Sequence, residues 1–84
     1  MAKNVKPIKT PIQKSVMSAE LLGSFVKARR TQLGITTEEA ALMCNVAKDT
    51  LSKIETARGT VQLESVLQVC KMLGMDLTFK PWDE

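Results

Sequence analysis

Apolar positions recur at helical spacing over most of the chain, and the pattern changes only near the end. Leu22, Phe25, Val26 and Leu33 fall on one helical face, broken by Lys27, Arg29 and Arg30. Ser18 stands before them as an N-cap, with Glu20 in the first turn, and Gly34 stops the run. A first helix is therefore predicted over 19–33. Thr36 to Glu39 reads T-x-x-E, a capping box, and opens a second helix reaching about Cys44. Asn45 follows, the non-glycine residue best suited to a left-handed turn. A third helix is predicted over about 48–56, with Val46, Leu51 and Ile54 inward and Lys48, Asp49, Ser52 and Lys53 outward. After the loop 57–60, a fourth helix over 62–73 is expected to bury Leu63, Val66, Leu67, Cys70 and Leu73. Gly74 ends it. Met75, Leu77 and Phe79 then alternate with Asp76, Thr78 and Lys80 up to Pro81, which is a strand pattern. A lone strand cannot satisfy its own backbone, so it calls for a partner in the N-terminal arm or in a second copy.

The stretch TTEEAALMCNVAKDTLSKIE, 36–55, thus holds two short amphipathic helices across a tight break, the outline of a helix-turn-helix. Residues 1–17 contain Pro7 and Pro11 and no helical period, and are expected to form an extended, mobile arm. That arm would lie along a phosphate backbone, lie against a protein partner, or remain a solvated tail. The division expected is 1–17 arm, 18–74 helical domain, and 75–84 strand and tail.

With 84 residues and 44% apolar content, the chain has room for one small core. Aromatics are limited to Phe25, Phe79 and Trp82, so Leu, Ile, Val, Met and Ala must fill it, and oligomerisation is a natural remedy for its size. The net charge is only +3. Its distribution says more: Lys3, Lys6, Lys9 and Lys14 precede Ser18 without any acid, whereas the segment after Gly59 holds more acid than base. Such asymmetry suggests a polyanion on one side. Cys44 and Cys70 sit in apolar helical surroundings and no His is present, so no metal site is expected and the thiols read as buried hydrophobes in a reducing cytosol. No cofactor is expected. No run reaches membrane-spanning length, and no secretory leader fits. Without His, a nucleophile–base pair or a phosphate-cradling glycine loop, an enzyme is disfavoured.

From Leu22 to Leu77 the sequence resembles the Xre/Cro family of bacterial helix-turn-helix DNA-binding domains. The residues that carry the likeness are LGSFVKARRTQLGITTEEAA, NVAKDTLSKIE and LESVLQVCKMLGMDL. In this likeness Ala41 is the alanine inside the bihelical corner and Val46 the turn valine. The resemblance implies a mainly α, four-helix, lambda-repressor-like domain. Two positions depart from the family pattern, Thr37 where Gln is frequent and Ala47 where Ser or Thr usually caps the third helix. Helix 4 followed directly by MDLTFK is similar, more narrowly, to HipB-type antitoxins. That resemblance implies terminal strands paired across a homodimer through Met75, Leu77 and Phe79, repression of the protein's own operon, and a HipA-like kinase toxin as partner. The alternatives are a phage or host regulator without a toxin, and an interaction module that has lost DNA binding.

The exposed start of the third helix enters the major groove in such domains. Lys48, Asp49 and Lys53, with Thr50 and Ser52 less firmly placed, are the candidates for base contact, since lysine donates to guanine and Asp accepts from cytosine. Lys27, Arg30, Thr37, Thr56 and Arg58 are the candidates for phosphate contact on double-stranded operator DNA with inverted half-sites. Arg30 and Glu55 are expected to pair, as in related phage repressors, in an exposed contact that orients Arg30 toward the DNA backbone. Leu42 and Met43 stand where the family carries charge; they mark a partner surface or lie partly under the arm. Trp82 is a further candidate anchor for a partner, or caps the terminal sheet. A cytoplasmic, nucleoid-associated protein is the expected setting.

Overall fold

The computed structural model describes residues 4–83. Lys3 of the basic arm, with the first two residues, and Glu84 of the tail lie outside the described residues. Four helices run in order: α1 Ala19–Gln32, α2 Thr37–Cys44, α3 Lys48–Thr56 and α4 Leu63–Met72. Each expected helix is present, with ends within a residue or so of its cap signals.

Those caps behave as the local chemistry requires. The Ser18 hydroxyl accepts from the Leu21 amide at 3.1 Å at the start of α1. At α2 the capping box closes both ways: Glu39 N donates to Thr36 Oγ1 at 3.2 Å and Thr36 N to Glu39 Oε1 at 2.8 Å. Asn45 ends α2 in the left-handed region at φ 56°. Ala57 ends α3 in the same region at φ 55°, where a side chain is unusual and no sequence signal pointed to it.

The core gathers Val26, Ala40, Ala41, Cys44, Leu51, Ile54, Val69 and Leu73, with Leu22, Ile35, Val46, Val61, Val66 and Met75 packed around it. α1 packs most extensively on α3. Their crossing is close enough that a Cβ on Gly23 would stand 2.3 Å from the Ile54 carbonyl oxygen and 2.8 Å from that of Glu55. Only glycine fits there, and the close approach brings the backbone of α1 against the end of α3.

Four expectations need correction. Leu33 is exposed, because it is the C-cap residue of α1 and no longer follows the helical face. In α4, Val69 is fully buried, while Leu63 and Leu67 are 69% and 47% exposed. Apolar residues cover more of that helix than one stripe, and a core this small takes only the Val66–Val69–Cys70–Leu73 side. The arm is extended but not free: Ile8 N donates to Thr31 Oγ1 at 3.0 Å, and Gln32 Nε2 donates to Ile8 O at 2.7 Å and Thr10 Oγ1 at 2.9 Å.

The fourth correction concerns the strand. Among the described residues no strand forms over 75–80. Met75 N instead donates back to Cys70 O at 2.8 Å and Gly74 N to Lys71 O at 3.1 Å, the pair of hydrogen bonds that closes a helix over a left-handed glycine. Met75 packs against the core, Leu77 is 39% exposed and Phe79 84% exposed. An alternating pattern becomes a strand only when a second backbone runs beside it. The arm comes near, sharing a groove lined by Gln13, Met17, Phe25, Met75 and Leu77, but makes no ladder there.

Candidate nucleic-acid interface

The helix-turn-helix corner is built from the backbone outward. After the left-handed Asn45, Val46 N donates to Ala41 O at 3.0 Å, which folds the chain back and starts α3 at Lys48. Ala41 is buried inside the corner, with Leu51 and Ile54 facing it from α3. Ala47 is the N-cap of α3 and supplies no side-chain hydrogen bond, as its methyl group dictates. Gln68 of α4 braces the corner from behind, its Nε2 donating to Cys44 O at 2.9 Å.

The outer face of α3 is charged. Lys48 and Asp49 are exposed, while Thr50, Ser52 and Lys53 are half-buried. Each lysine has an acid beside it: Lys48 Nζ lies 3.0 Å from Glu38 Oε1 on α2, and Lys53 Nζ lies 3.2 Å from Asp49 Oδ2 one turn back. At the far end of α3, the Thr56 hydroxyl donates to Ser52 O at 2.7 Å and accepts from Arg58 Nε at 3.2 Å. Thr37 is half-buried at the first position of α2, directly after the cap at Thr36, and Lys27 is exposed on α1.

Arg30 differs from the expected exposed contact. Its guanidinium grips Glu55 with both Nε, at 2.6 Å, and Nη2, at 3.0 Å, and Nη1 donates to Ile35 O at 3.0 Å. Both side chains are less than a tenth exposed. The pair expected between these residues is present, but it is a buried clamp between α1 and the end of α3. Arg30 is thereby placed to set the angle of α3 through Glu55.

These elements are those of a known sequence family. Residues 21–78 match the family described as "Helix-turn-helix domain". The chain belongs to it. This helix-turn-helix domain spans α1 through α4 and the first residues of the tail, so α3 occupies the place of the recognition helix. Among curated proteins, none matches the sequence. Among solved structures, a chain titled "MDT Protein" superposes with a TM-score of 0.70 at 21% identity, covering 84% of this chain and 100% of that one. At that identity the likeness establishes the fold alone.

Three residues of the domain escaped the sequence reading. Glu38 pairs with Lys48 only because the turn brings two helix starts together, and nothing in the spacing of ten residues announces it. Gly23 did leave a signal, as a glycine inside an apolar helical run marks a close backbone approach. Gln68, which carries no motif signal, ties α4 to α2 through its bond to Cys44 O.

The thiols lie apart from this face. Cys44 and Cys70 are free and buried. Burial pushes both thiols above their ordinary value of 9.0, and the neighbouring Cys44 adds to the rise at Cys70. Among the described residues no group of His, Cys, Asp and Glu could hold a metal ion, and no helix is long and apolar enough to cross a membrane.

Proposed function

We propose that this helix-turn-helix protein is a sequence-specific transcriptional repressor that works as a homodimer, and that it is the antitoxin of a HipBA-like toxin–antitoxin pair. The observation that carries the reading is the charged outer face of α3, with exposed Lys48 and Asp49 at its start and half-buried Lys53 one turn on, clamped at its far end by Arg30 and Glu55. In this reading Lys48, Asp49, Ser52 and Lys53 address base edges, with Thr50 beside them. Thr37, Thr56, Arg58 and Lys27 meet phosphates, and the amides at the start of α2 add an anion site. Arg30 contributes through Glu55 and not by direct contact.

The dimer and the toxin partner are supported by the surface. Leu77, Phe79 and Trp82 leave an apolar tail in solvent, and Leu42 and Met43 do the same on α2. A second copy paired along 75–80 would supply the backbone partner that the tail lacks, and would set two α3 helices about 34 Å apart on inverted half-sites. Leu42, Met43 and Trp82 are assigned to the kinase-like toxin. The setting proposed is the cytoplasm, on the nucleoid.

The test is a pair of measurements. Lys48→Ala combined with Lys53→Ala should abolish selection of a preferred duplex from a random library while helical content stays unchanged; retained selection would mean that α3 is misassigned. Purification from native cells should bring down a HipA-like kinase, and its absence would leave a DNA-binding regulator without a toxin.

A further inference from the structure

The two outward lysines of α3 are each held by an acid, and the two pairs differ in origin. Asp49 and Lys53 are one helical turn apart, so their contact follows from helix geometry alone. Lys48 and Glu38 belong to different helices. Their contact at 3.0 Å exists because the turn at Asn45 sets the first turn of α3 beside the first turn of α2. Both partners are exposed, at 61% and 71%, so the pair adds little to folding.

We propose that Glu38 is a specificity-determining residue of the DNA interface, tethering Lys48 so that it serves base edges and is withheld from phosphates. This rests on the reading of α3 as the groove-facing helix. A lysine ammonium has three donors. With one given to Glu38, two remain, and guanine offers two neutral acceptors, O6 and N7, in the major groove. Lys48 therefore contacts guanine without leaving Glu38. A phosphate is a full anion, and drawing it to Lys48 brings it beside the Glu38 carboxylate, with one ammonium between two negative charges. Glu38 thus penalises the sequence-independent contact and spares the sequence-reading one. It is a positioning residue, acting on DNA through Lys48.

The experiment uses the full chain as wild type, Glu38→Gln, Lys48→Ala and the double variant. Each is titrated over a range of salt against a mixed-sequence duplex of about 20 bp and against a duplex selected by the wild type from a random library. Glu38→Gln should bind the mixed duplex about fivefold more tightly, the upper range for an exposed ion pair. Its log–log salt slope should steepen by up to about 0.9, one further phosphate contact. Affinity for the selected duplex should stay level or fall, so the specificity ratio drops. In the Lys48→Ala background the same substitution should have a smaller effect. An unchanged ratio and slope would overturn the proposal, as would an equal gain without Lys48, which would make Glu38 a general repulsive charge. If the wild type binds neither duplex, the reading of α3 fails and takes this inference with it.

Discussion

Arg30 and Glu55 meet side-on, two guanidinium nitrogens on two carboxylate oxygens at 2.6 and 3.0 Å, and the contact is almost closed to water. The third bond, to Ile35 O at 3.0 Å, ties the same guanidinium to the segment leading into α2. One side chain therefore holds α1, the end of α3 and the approach to α2. Removing either partner leaves a buried charge without compensation. Glu55→Ala or Arg30→Ala should cost about 3–5 kcal/mol, read from urea unfolding. Arg30→Lys should also destabilise, because an ammonium cannot present the same planar fork. A loss below about 1 kcal/mol, typical of an exposed pair, would contradict the clamp.

Gly23 sits where α1 crosses that clamp. A methyl group there would meet the Ile54 and Glu55 carbonyl oxygens, at 2.3 and 2.8 Å, and backbone cannot step aside as a side chain can. Gly23→Ala gains helix propensity of about 1 kcal/mol and should still lower stability, by about 1–3 kcal/mol from overpacking. A higher melting temperature in this variant would show that the helices separate easily.

At Ala47 the opposite outcome is expected. Its backbone, at φ −69° and ψ 147°, already has the extended form of an N-cap, and its side chain has nothing to offer the orphan amides of α3. Ala47→Ser should stabilise the domain by about 1 kcal/mol. Thermal unfolding decides it, and no gain would mean that water already serves those amides equally well.

Phe79 is 84% exposed at the end of the alternating tail. If the tails of two copies pair, Phe79→Asp should place like charges in the shared sheet and yield monomers by sedimentation at concentrations where the wild type is dimeric. An unchanged profile would remove strand pairing from the proposal and leave the exposed Leu63 and Leu67 of α4 as a candidate dimer surface.

The buried thiols impose a pH dependence. Cys44 and Cys70 stay protonated in the fold beyond 9.0, where they would ionise in the unfolded chain. Over that window the native state binds more protons than the unfolded state, so stability falls as pH rises. Their contribution is complete below about pH 9 and lost toward the raised folded values. Urea midpoints taken between about pH 7 and 10 should decline, and the decline should shrink in Cys44→Ala combined with Cys70→Ala.

The sequence by itself determined the helices and the corner between α2 and α3. Those features rest on local rules: a hydroxyl at each of the first two helix starts, a capping box, an asparagine that accepts a left-handed turn, and apolar residues three and four apart. Tertiary structure decided what local rules cannot express. Which side of α4 is buried depended on how much core the other helices left to fill, so Val69 went in and Leu63 stayed out. Arg30 and Glu55 are expected to pair in an exposed contact, and only the crossing of α1 over α3 at Gly23 encloses that pair as a buried clamp. Lys48 finds Glu38 only after the chain has turned. The tail at 75–80 has the alternation of a strand, but its ladder needs a second backbone, which the sequence cannot supply on its own.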